Sequence, residues 1–111
     1  DITTFQKVLS KLRSYLAHEG RTGITFPISK RVYIAVDRDR EAASKKIQKW
    51  FANYYHDASL GLKATVFGTE DEVIEQLTPL VEEGLDMIMF NPVCDLIEQA
   101  EKLSELIIPK L

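Results

Sequence analysis

Ala64 to Pro92, ATVFGTEDEVIEQLTPLVEEGLDMIMFNP, reads as a strand, a tight turn, a capped helix, a glycine stop and a second strand. Ala64-Thr65-Val66-Phe67 is short and β-prone. Thr69-Glu70-Asp71-Glu72 is a capping box, in which the Thr69 hydroxyl can take the Glu72 amide while the Glu72 carboxylate reaches back. Three acids crowd the first turn, where the helix dipole favours them. Pro79 is expected to kink or loosen this helix, and Gly84 to stop it. Met87-Ile88-Met89-Phe90 is continuously apolar, as expected of a buried strand, and Asn91-Pro92 ends it. Two strands joined by a crossover helix form a βαβ unit with parallel strands.

The same alternation extends in both directions. Upstream, Val32-Tyr33-Ile34-Ala35-Val36 is an apolar run of the kind found in parallel strands covered on both faces. Asp37 or Asp39 then caps a helix whose buried stripe is Ala43, Ile47, Trp50, Phe51 and Tyr54; Tyr55 falls off the stripe, as a surface contact would. Asn53 to Lys63 reads as a loop punctuated by Gly61. Before the strand, Ile2, Phe5, Val8, Leu9, Leu12, Tyr15 and Leu16 form a helical stripe ended by Gly20. Gly23 opens a segment in which Ile24, Phe26 and Ile28 alternate around Pro27, an edge or pre-strand pattern. Downstream, Asp95 with Glu98 repeats the capping-box logic. Ile97, Ala100, Leu103 and Ile107 line a closing helix, and Pro109 blocks its extension. The class is α/β. The simplest arrangement places three parallel strands side by side in sequence order, with right-handed crossovers putting the helices on one side.

A length of 111 residues suits one domain. The chain is 45% hydrophobic and 28% charged, the composition of a soluble globular protein. No apolar run approaches the ~20 residues that span a bilayer, and no signal peptide is visible. The start at Asp1 without Met suggests a processed or truncated piece. A single cysteine, Cys94, excludes an intrachain disulfide and fits a reducing compartment such as the cytoplasm. Charge is uneven. Residues 1–49 hold eleven Lys/Arg against five Asp/Glu, a net +6, whereas residues 69–111 hold two against eleven, a net −9. The basic residues Lys30, Arg31, Arg38, Arg40, Lys45, Lys46 and Lys49 are interleaved with Asp37, Asp39 and Glu41. That mixture fits solvated helix faces better than a nucleic-acid surface. His18 and His56 have no ligand partners at metal spacing, so no metal is expected. Cys94 lacks a histidine signature and reads as a small buried apolar residue. No Ser-His-Asp or paired-carboxylate arrangement marks a catalytic residue.

Three segments together resemble the C-terminal part of the bacterial luciferase-like flavin-dependent oxidoreductases. They are Val32–Ala42 (VYIAVDRDREA), Val66–Gly84 (VFGTEDEVIEQLTPLVEEG), and the strand from Met87 leading into NPVCDLIEQAEKLSELIIPKL at Leu111. The resemblance implies a partial TIM (β/α)8 barrel: the last three β/α units, strands six to eight, with a preceding helix. The chain would then be a C-terminal fragment of such a barrel, and most flavin-holding residues would lie in the absent part. The parent would be an oxidoreductase or monooxygenase, transferring hydride or activating oxygen at FMN or an 8-hydroxy-5-deazaflavin coenzyme, with a small-molecule substrate. The fragment alone would be inactive and hold no flavin tightly.

In barrels of this kind the active site lies at the C-terminal ends of the strands. The resemblance therefore points to Asp37, Arg38, Gly68, Thr69 and Asn91 as cofactor- or substrate-binding candidates. Each also has a plainer use. Asp37 and Thr69 suit helix caps. Arg38 suits a solvated face, and Asn91 with Pro92 suits a turn. Gly68-Thr69 sits at a helix N-terminus that attracts phosphate, but Glu70 to Glu72 disfavour an anion there. A three-stranded slice would leave open sheet edges and an uncovered apolar face, so a homo-oligomer or association with the missing barrel part is expected. The alternative is a non-enzymatic α/β binding or interaction module.

Overall fold

The computed structural model describes residues 1–22 and 25–111. Its elements are α1 (Ile2–His18), β1 (Ser29–Val36), α2 (Arg40–Tyr55), α3 (Ala58–Ala64), β2 (Thr65–Gly68), α4 (Glu70–Glu82), β3 (Met87–Pro92) and α5 (Leu96–Lys102). A π-helical turn, Leu103–Ile107, and a 3-10 turn, Ile108–Lys110, follow. The α/β class and the three parallel strands are as expected.

The strand order is not. β1 lies in the middle of a β2-β1-β3 sheet, whereas consecutive strands of a barrel are neighbours. β1 is the longest strand, with eight residues against four in β2 and six in β3, and its two partners are staggered along it. It pairs with β3 from Ser29 to Ile34 and with β2 from Tyr33 to Val36. The strand therefore starts at Ser29, three residues before its apolar run, because Met87 to Met89 pair with Ser29 to Arg31. Gly23 and Ile24 of the expected pre-strand segment lie outside the described residues, and Thr25 to Ile28 form no strand.

This order also moves the helices. The β1–β2 connection steps one way and the β2–β3 connection steps back over β1, so right-handed crossovers place α2 and α4 on opposite faces. Val32, Ile34 and Val36 pack with Val73, Leu77 and Leu80 of α4 and with Leu103 and Ile107. Ala35 and Phe67 pack with Ala43, Ile47 and Phe51 of α2. Ile34, Ile47, Val73, Leu77 and Ile107 are fully enclosed, each contributing roughly 1.5–3 kcal/mol of burial. α1 adds Ile2 and Phe5 to the α4 face, and Gln6 and Arg13 tie it to Glu83.

Local expectations meet mixed outcomes. Asp39 caps α2 through the amides of Glu41 and Ala42. The expected loop after Asn53 is mostly helical: α2 runs to Tyr55 and Asp57 caps α3. Gly61 sits inside α3 as a close-contact residue, since a Cβ there would stand 2.8 Å from Ile47 Cγ2. α4 continues through Pro79 to Glu82 and ends before Gly84, whose φ is +72°. Asn91 and Pro92 are the last paired residues of β3, which ends there as expected but two residues beyond Phe90. β3 is an edge strand, so Met87 (62%) and Met89 (53%) are exposed instead of buried. Asp95 forms no cap bond, and Ile97 and Ala100 face solvent. The buried α5 residue is Gln99.

Candidate functional site at the strand ends

β1 and β2 end together, and their ends are locked. The Asp37 amide donates to Gly68 O at 2.9 Å. Gly68 has a φ of +131°, and a Cβ there would fall 2.2 Å from Glu72 Oε2, so this tight turn requires glycine. Thr69 then opens α4. Of the two arms of the Thr69/Glu72 box, the Thr69 amide to Glu72 Oε2 has full hydrogen-bond geometry at 2.8 Å. That amide, with Arg40 behind it, holds the Glu72 carboxyl below the usual range.

Past β3, the edge of β1 is closed by a side chain. Val36 N donates to Gln99 Oε1 at 2.7 Å, and Gln99 Nε2 donates to Val36 O at 2.8 Å. Gln99 is 2% exposed and stands in for a neighbouring strand. Lys102 Nζ adds a third bond to the same carbonyl at 3.3 Å. In open α/β sheets the crevice at the strand-order switch is the usual ligand position. Here, between β1 and β3, Gln99 fills it.

A cavity of about 450 Å³ remains beside that plug, between the ends of β1 and β2 and the closing helix. Asp37, Arg38, Thr69, Asp71 and Lys102 line it. Three of the five expected residues, Asp37, Arg38 and Thr69, are thus brought together. Gly68 shapes the turn without lining the cavity. Asn91 pairs with Tyr33 one strand away and does not reach it. Glu70, also in the lining, is ion-paired with Lys110.

Asp37 accepts the Asp39 amide at 3.0 Å, the first reason its carboxyl is held below the usual range; Lys46, at 3.5 Å, is the next. Lys46 also reaches Asp95 at 2.7 Å, which lowers the Asp95 carboxyl and raises the Lys46 ammonium. Burial pushes the half-buried Cys94 thiol up, away from the thiolate form that nucleophilic cysteines need. With three carboxylates and two cations, the lining suits a neutral or polyhydroxylated ligand held by hydrogen bonds. Among the described residues no cluster of three or more metal-binding side chains occurs.

Lys46, Gln99 and Lys102 carry no motif that marks them in the sequence. Their one signal is position: Lys46 flanks the buried Ala43/Ile47 stripe, and Gln99 and Lys102 are three apart on one helix. The aromatic group on α2 also differs from expectation. Phe51 is buried and Tyr54 is 69% exposed, stacked on Trp50, while Tyr55 exchanges a hydroxyl bond with Tyr33 at 2.7 Å. No described helix is long and apolar enough to cross a membrane. Compared with protein-family models, with curated proteins and with solved structures, the chain finds no match.

Proposed function

We propose that this chain is part of a luciferase-like flavin-dependent oxidoreductase, in which the strand-end cavity forms one wall of the cofactor or substrate pocket. The parent would transfer hydride or activate oxygen at FMN or an 8-hydroxy-5-deazaflavin coenzyme, in the cytoplasm. The observation that carries this reading is that Asp37, Arg38 and Thr69, from two of the resembling segments, converge on one cavity at the C-terminal ends of parallel strands. The isoalloxazine would supply the redox chemistry, and these residues would supply position and polarity. With Asp37, Glu70 and Asp71 in the lining, the cavity offers no cradle for the cofactor phosphate, so this chain alone holds no flavin tightly.

Fluorescence and absorbance titration with FMN and the deazaflavin tests the reading, on this chain and on a longer polypeptide containing it. Saturable binding only by the longer polypeptide is expected. Failure of both flavins to bind either would overturn the proposal.

A second reading, a self-contained α/β binding or interaction module without enzymatic activity, is favoured by the β2-β1-β3 order and by helices on both sheet faces. Association separates the two. β3 has an open outer edge and exposes Met87 and Met89, so the fragment reading expects a homo-oligomer or capture of the missing strands. Light scattering showing a stable 12.7 kDa monomer would favour the module.

A further inference from the structure

We propose that a second cavity, running along β2, binds a small carboxylic acid with an apolar body. This does not rest on the flavin reading, since the site lies beside the starts of β1 and β2 rather than at their shared ends.

The cavity measures about 350 Å³, within the size range of small-ligand sites. Its floor is apolar, formed by Ile2, Val32, Val66 and Leu80. Its charged lining has a cationic excess, with Lys30, Arg31, Arg40 and Lys63 against the carboxylate of Asp1. Among the described residues neither Lys30 nor Lys63 has a carboxylate partner. Lys30 is held in place, with its ammonium 4.9 Å above the Phe5 ring and its stem half-buried. Lys45, Lys46, Lys102 and Lys110, by contrast, face acids.

The wall between floor and rim is polar and already organised. Gln76 sits over the free edge of β2, where its Nε2 donates to Phe67 O at 2.9 Å and to Glu72 O at 2.8 Å. Thr65 and Phe67 also line this wall, with Val66 between them turned to the opposite face of the sheet. An apolar floor takes a short aliphatic or aromatic body, and the cationic excess around it favours a carboxylate over an alcohol.

Octanoate is the probe, followed by amide chemical shifts on the intact chain. Saturable shifts are expected at Thr65, Val66 and Leu80, weakened by added salt, with 1-octanol binding more weakly. The double variant Lys30→Ala/Lys63→Ala is expected to lose roughly fivefold or more in affinity. If that variant does not fold, Lys63→Glu gives the same reading, since Lys63 is exposed. Absence of these shifts, equal binding of 1-octanol, shifts centred on Asp37 and Thr69 instead, or an undiminished affinity in the variant would each overturn the proposal.

Discussion

The two βα junctions of this molecule solve the same problem in different ways. At β2–α4 every device is local: Gly68 makes the turn, Thr69 and Glu72 box the helix start, and Gln76, two turns on, bonds both main-chain groups of Phe67. At β3–α5 the devices are long-range. Asp95 adopts a φ of +44°, makes no cap bond and is drawn to Lys46 of α2. Gln99 bonds Val36, 63 residues away. Both glutamines imitate a missing strand. One does so half-buried at a sheet edge, the other sealed inside, and the difference lies in what water can replace. An unpaired peptide group costs little where solvent reaches it and far more where it does not.

The sharpest break of this comparison is Gln99→Leu. It strands the amide of Val36 in the interior, and a loss of about 3 kcal/mol is expected from the denaturant midpoint. Gln76→Leu removes the same pair of bonds at the edge and is expected to cost about 1 kcal/mol. Equal losses in the two variants would show that burial is not what separates the junctions.

Next comes Thr69→Ala, expected to destabilise by roughly 0.5–1 kcal/mol as a lost helix cap. Asp95→Ala should do less, and its effect should vanish in a Lys46→Met background while that of Thr69→Ala persists. A cycle in which Asp95 and Lys46 act additively would remove the long-range link from the β3–α5 junction.

The smallest effect is the pH dependence of that link. Asp37 and Asp95 are held low and Lys46 is raised. The carboxylates' contribution is present above their unfolded value, ~3.9, and is lost as pH falls through the folded values. The lysine's contribution is present below ~10.4 and is lost as pH rises through its folded value. The stability difference between wild type and Lys46→Met should therefore be flat across neutral pH and shrink at both extremes. Because the three side chains are partly exposed, the difference is modest. A difference that grows in acid would contradict the assignment.

The contrast also explains what could be read in advance. Asp39 and Thr69 act on amides two or three residues away, and the pattern of neighbours is enough to place them. The stripe Ala43, Ile47 and Phe51 repeats at helical spacing and is buried where that spacing puts it. Asp95 and Gln99 look like a cap and a solvated polar residue because their partners, Lys46 and Val36, are distant in the chain. The candidate site shares this divide. Asp37, Arg38 and Thr69 were legible as strand ends, whereas Lys102 enters only because the closing helix packs over β1.

The sequence by itself determined the α/β class, the parallel sense of the strands, most helix starts and the glycine turn at Gly68, since these follow from short-range sterics, capping and periodicity. The tertiary structure alone decided that β1 is central, that helices cover both faces and that β3 is left with an open edge. Those choices compare whole-strand pairings between segments distant in the chain: β1, apolar on both faces, is paired on each side and covered above and below.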